Sequence, residues 1–151
     1  MLVRARPVDS KAQLSTSYPA LSVCQPWAEL IILGRKSIEV RQWWTEYRGF
    51  LWIHAAKKED ADLERHLGFS SLYRGGFIGV VNLTSVVRFD RERWMRWRER
   101  HLSEGPMPAA YGWVFRDPIR LQQPYPSRGF PGLFRLAPEV SQVLHALLPP
   151  T

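Results

Sequence analysis

The sequence holds a single cysteine, Cys24, and no long apolar run. One thiol excludes an internal disulfide and any metal cluster built from several cysteines. A membrane-spanning helix needs about 20 consecutive apolar residues, and no stretch supplies them. The opening residues carry Arg4, Arg6, Asp9 and Lys11 without a following apolar segment, so they do not read as a secretory signal. These absences lead to the expectation of a reducing, cytoplasmic setting with no membrane partner. There is also no GxxxxGK[ST] loop, HExxH pair or GxSxG elbow, which argues against a P-loop hydrolase, a zincin or a serine hydrolase. His66, His101 and His145 are dispersed without a metal-binding spacing, so no metal or other cofactor is expected.

Acidic side chains are the other scarcity. Against 14 Asp and Glu stand 21 Lys and Arg, a formal charge of +7 on 151 residues. Arginine dominates the cations, and its planar fork suits bidentate recognition of phosphate or carboxylate. A polyanion is therefore the expected partner, although surplus charge also serves solubility. Hydrophobic residues make up 45% of the chain, enough for one domain with a substantial core.

Residues 1–18 mix Ser, Pro, Thr and basic residues without periodicity and read as a disordered basic leader. A single domain is expected over 19–149. Residues 20–23 suggest a short strand. Pro26 opens a helix whose stripe is Trp27, Leu30, Ile31 and Leu33, with Gly34 as its stop. Ile38 and Val40 alternate with Ser37, Glu39 and Arg41, the mark of a half-buried strand. Further strands are expected at 50–55, 77–87, 111–115 and 119–121, the last two separated by Asp117-Pro118. Helices are expected at 57–67 and 91–101, and from Pro138 onward. Residues 124–129, with two prolines and Gly129, form an irregular approach to 130–136. Short strands with brief helices between them predict an α+β fold, a small mixed β-barrel with flanking helices.

The densest candidate site lies between Gln25 and His54. Ser37, Glu39 and Arg41 share one face of a strand, and Lys36 sits at the turn before it. Such a set suits a base or phosphate, and a lysine of lowered pKa could also move a proton. An internal Glu39–Arg41 or Glu39–Lys36 ion pair is the plainer alternative. Trp43, Trp44, Tyr47 and Arg48 follow, offering indole and guanidinium faces for stacking, with one of the adjacent tryptophans turned to the core. Trp27 belongs to the helix stripe, and Gln25 is placed to read a base edge. His54, inside an apolar strand, reads first as a satisfied core histidine. Residues 91–101 carry five arginines and two glutamates, a solvated face or a phosphate contact. Arg116, Arg120 and Arg128 supply a second rim.

The segments 21–28 (LSVCQPWA), 34–41 (GRKSIEVR), 47–55 (YRGFLWIHA), 76–83 (GFIGVVNL), 111–115 (YGWVF) and 132–134 (GLF) occur in order. This combination closely resembles the ASCH domain of the PUA-like superfamily. The resemblance implies a barrel-like core with a cleft for RNA or a modified base. The residue readings above make Gln25, Trp27, Lys36, Ser37, Glu39, Arg41, Trp43, Tyr47 and Arg48 the candidate ligand contacts of that cleft, and the resemblance adds Asn82. Some relatives are enzymes, one group hydrolysing the amide of N4-acetylcytidine and another credited with ribonuclease activity. In the amidohydrolase group a lysine, a threonine three positions on and a later glutamate carry the reaction. Lys36 matches the lysine, but Glu39 stands at the threonine position and Asn82 at that of the later acid. A carboxylate offers no hydroxyl nucleophile and a neutral amide no general base, so catalysis would fall to Lys36, Glu39 and Ser37 in a new arrangement. The expected function is therefore an RNA- or modified-nucleotide-binding module. The alternatives are an RNA- or nucleoside-directed hydrolase and a protein-interaction module with a protein partner.

Overall fold

Ala20–Val23 forms strand β1, its apolar side chains buried and Ser22 alone partly open. The computed structural model describes residues 17–151, so the expected leader lies almost wholly outside the described residues. Tyr18, the last residue of that leader, is buried with its ring 5.6 Å from both Phe50 and Trp52. Helix α1 (Trp27–Ile32) follows Pro26 and buries Ala28, Leu30, Ile31 and Ile32; of the expected stripe Leu30 and Ile31 are interior, Trp27 is partly buried, and Leu33 is exposed because the helix ends before it. Strand β2 (Ile38–Arg41) leads to β3 (Gly49–Ala55), most of which is fully interior.

The next helix, α2 (Ala61–His66), is shorter than the expected 57–67 because Asp60 caps it, its carboxylate accepting the Leu63 N–H. β4 (Gly76–Arg88) is the long run foreseen. Residues 91–101 form two helices rather than one, α3 (Arg91–Arg96) and α4 (Arg98–His101), divided at Trp97. The strands expected at 111–115 and 119–121 are one, β5 (Tyr111–Pro126), which passes through Asp117 and Pro118 without leaving the sheet. Asp117 adopts a left-handed φ of 54°, and register shifts against β4 absorb the irregularity. A proline that breaks a strand when read alone is tolerated where a bulge leaves its position outside the ladder. Within 130–136 a short strand, β6 (Leu133–Phe134), forms, and α5 (Pro138–Ala146) follows it.

The six strands make one mixed sheet in the order β2-β5-β4-β3-β1-β6. β1 and β3 run parallel, and the other neighbouring pairs are antiparallel. The sheet is curled into a half-barrel with flanking helices, and β2 and β6 are its edges. One core cluster fills the sheet beneath α1, with Leu21, Ile31, Leu51, Ile53, Leu83 and Trp113 at its centre. A second packs Trp52, Phe77, Val80 and Leu144 under α5, and a third joins Ile38 and Phe89 to Trp94 of α3. Among the described residues no helix is long and apolar enough to cross a membrane. This arrangement brings the ends of β1, β2 and β3 and the segment after β5 to one place.

Candidate functional site

That place is a cavity of about 920 Å³, lined by Ser22 of β1 and Cys24 just after it, Arg41 of β2, His54 and Ala56 at β3, and Lys57 and Gly75. The segment 126–132 forms its remaining wall, with Arg128 and Phe130 exposed to it. Three cations, Arg41, Lys57 and Arg128, thus face one space in which no carboxylate takes part. The Arg128 guanidinium lies 5.2 Å over the Phe130 ring, so an aromatic face and a cation are presented together.

The floor of the cavity is a hydrogen-bonded chain. Ser22 and His54 are register partners across the parallel strands, with Ser22 Oγ 2.9 Å from His54 Nδ1. His54 Nε2 lies 2.8 Å from the Ser127 carbonyl oxygen, which can only accept, so Nε2 carries the proton. Nδ1 is then the acceptor for the Ser22 hydroxyl. Burial holds the His54 pKa below its ordinary value, against the opposing pull of the Ser127 carbonyl, and the ring is neutral at pH 7. Gly129 packs directly on this pair: a Cβ there would fall 2.6 Å from His54 Cε1 and 3.1 Å from Ser22 Oγ. Only glycine lets the backbone approach so closely.

The residues around Lys36 are arranged differently. Lys36 and Glu39 are buried, and Lys36 Nζ lies 3.7 Å from Glu39 Oε1 while donating to the His101 carbonyl. The ammonium also sits 4.7 Å over the Trp27 ring. Burial lowers the Lys36 pKa, and nearby Glu39 opposes that shift. Arg41 Nε donates to Glu39 Oε2 at 2.9 Å and its Nη2 donates to the Ser22 carbonyl at 3.0 Å. A continuous Lys36–Glu39–Arg41 relay results, and of the three only Arg41 borders the large cavity.

The other expected contacts distribute as follows. Gln25 is buried, its Oε1 accepting from the Glu29 N–H and its Nε2 donating to the Tyr73 carbonyl. Trp43 turns inward, edge-on to Trp113 at 4.7 Å, and its carbonyl accepts from the Trp113 indole. Trp44 is the exposed member of the pair, with Arg48 5.7 Å above it. Tyr47 donates to the Phe50 carbonyl, and burial raises its pKa to about 12. Arg48 donates to the Thr45 and Tyr47 carbonyls. Asn82 is half-buried on β4 between Phe50 and Arg116. Ser37 does not join Lys36 and Glu39 over one ligand: its hydroxyl accepts from Arg100 Nε at 3.0 Å and borders a second, smaller cavity.

Sequence reasoning passed over Ser22 and Phe130 and met Arg128 only as a rim cation. A polar residue in each of two neighbouring apolar strands, Ser22 and His54, is the signal that pairs them, but the parallel register that joins them is not visible in sequence. Among the described residues no group of three His, Cys, Asp or Glu is placed to hold a metal ion.

Comparison with known proteins places these features in a family. The family model described as the ASCH domain matches residues 21–125. Activating signal cointegrator 1 of Homo sapiens is 26% identical over 136 residues, covering 81% of this chain. The Mus musculus protein of the same name is 25% identical over the same length. This chain spans only 23% of either relative. Among solved structures, ASCH from Zymomonas mobilis superposes with a TM-score of 0.65 at 21% identity, covering 89% of this chain and 97% of that one. A tyrosine-to-phenylalanine variant of that protein gives a TM-score of 0.66 at 17% identity, over 89% of this chain and 100% of that one.

Proposed function

Because the chain belongs to the ASCH domain family, we propose that it is an RNA- or modified-nucleotide-binding module seated in the large cavity. The observation that carries this reading is the convergence of Arg41, Lys57, Arg128 and Phe130 on one open space. Phosphate oxygens meet the guanidinium groups, and a base stacks on the Phe130 ring. The relay from Lys36 through Glu39 holds Arg41 in place, a positioning role in place of the direct contact expected of Lys36 and Glu39. Titrating a short single-stranded RNA by fluorescence anisotropy over a salt series tests this. Arg128→Ala, on an exposed side chain that lies over Phe130, weakens binding about fivefold and lowers the salt slope by about 0.7. Arg96→Ala, on the exposed surface of α3, leaves both unchanged. Equal affinities for the two variants at every salt concentration refute the assignment.

The Ser22–His54 hydrogen bond favours a second reading, a hydrolase acting on the bound nucleotide. Here the neutral His54 ring takes the Ser22 proton as the hydroxyl oxygen bonds to the acetamide carbon or phosphorus, and returns it to the nitrogen or oxygen that leaves as the C–N or P–O bond breaks. Water then cleaves the serine ester, while the Ser127 carbonyl fixes the ring's tautomer. Hydrolysis of N4-acetylcytidine or RNA that vanishes in Ser22→Ala while RNA binding persists supports it. Turnover that survives this substitution rejects it.

A further inference from the structure

The second cavity, of about 290 Å³, is lined by Ile31, Gly34, Lys36, Ser37, Arg100, Phe115, Arg116, Asp117 and Pro118. It shares no lining residue with the large cavity, and β2 separates them, with Ser37 just before its start and Arg41 at its end. Its charges do not cancel. The Lys36 ammonium is already matched by Glu39. Arg100 is not: its Nε donates to the neutral Ser37 hydroxyl, and its guanidinium lies 5.1 Å over the Trp97 ring. Among the described residues no ion pair engages Arg100 or Arg116. Asp117 is the single acidic residue in the lining.

Two guanidinium groups against one carboxylate leave an excess positive charge in a recess. Arg100 is also held by a hydrogen bond at one edge and a ring on one face, so little conformational freedom is lost when its remaining N–H groups meet a ligand. The forked donors of two arginines fit the tetrahedral oxygens of a phosphate group.

We propose that this recess is a separate phosphate-binding site, held by Arg100 and Arg116 and tempered by Asp117. The phosphate group is the shared chemistry of two sources, a free phosphate ion and the backbone of a polynucleotide whose base occupies the large cavity. Only the second source rests on the function proposed above.

Inorganic phosphate titrated into the ¹⁵N-labelled full chain at constant ionic strength tests the site through backbone amide shifts. Saturable shifts are expected at Ser37, Arg116 and Asp117. Arg116→Ala, an exposed strand position, weakens this binding about tenfold. Asp117→Asn tightens it about threefold, because the opposing charge goes while asparagine keeps the left-handed backbone. Arg128→Ala, at a large-cavity cation that lies over Phe130 and lines no part of this recess, leaves it unchanged, which separates this site from failure of the large-cavity reading. Shifts that never saturate, or that ignore both Arg116→Ala and Asp117→Asn, overturn the proposal. A short RNA then distinguishes the sources: displacing bound phosphate from these amides identifies the polynucleotide backbone, and leaving it in place identifies the free ion.

Discussion

The two ends of one short stretch, Lys36 to Arg41, use charge in opposite ways. At the Lys36 end a cation is sealed in the interior, its side chain 2% exposed, and answered by Glu39, by the His101 carbonyl and by the Trp27 ring. At the Arg41 end the guanidinium, paired on one side with Glu39, borders a space that Arg128 and Lys57 also face and whose lining holds no acid. A buried charge must be paired to be tolerated at all, so the first arrangement is one the fold itself requires. Among the described residues no ion pair engages Arg128 or Lys57, and cations left unanswered at an open cavity are the better guide to a ligand.

The largest effect that separates the two ends comes from Glu39→Ala. It strands the Lys36 ammonium in the interior, and unfolding in urea should show a loss of about 3–5 kcal/mol. Arg128→Ala, at the open end, should change stability by no more than about 0.5 kcal/mol. Similar midpoints and slopes for the two variants would break the comparison, because the relay would then have no special structural weight.

The local part of this contrast was legible in the sequence. The alternation of Ser37, Glu39 and Arg41 with Ile38 and Val40 marks the strand, and the Glu39 ion pairs follow from its spacing to Lys36 and Arg41. The half-barrel was legible too, since short apolar strands with turn residues between them leave few other packings. What stayed hidden was the meeting of distant segments. Ser22 faces His54 because β1 and β3 run parallel, a register set by the crossover and not by either strand. The 126–132 wall reads as an irregular, proline-rich connection, and its contact with His54 is made through a backbone carbonyl, which no side chain announces. Trp43 and Trp44 show the same limit. Alternation says that one turns inward, but only the position of Trp113 decides which.

Gly129→Ala probes the wall itself and ranks second in size. The added methyl would overlap the His54 ring and crowd Ser22 Oγ, so the segment must move outward. A loss of about 1–3 kcal/mol is expected, with weaker RNA binding because Arg128 and Phe130 move with the wall. Undiminished stability and affinity would mean that the wall is not fixed by its contact with the Ser22–His54 pair.

The smallest effect is one of pH, and it asks whether that pair is held as a neutral ring. Burial lowers the pKa of His54, and likewise of His101, below the ordinary 6.5. Between the folded value and 6.5 the unfolded chain therefore binds more protons than the folded one. Unfolding free energy rises with pH across that window and is flat above it with respect to these groups. Read downward, the stability contributed by the neutral rings is complete above 6.5 and drains away as the pH falls toward the folded values. His101, buried near Lys36 and Arg98, keeps its share when His54 is replaced. In His54→Gln the slope of stability against pH should therefore become shallower by up to about one proton, without vanishing. The amide of glutamine does not titrate, so the change in slope isolates the ring's charge from any general loss of packing. An unaltered slope would place the proton release on His101 alone. The open end of the comparison would then lack the neutral ring that its Ser22 and Ser127 contacts require.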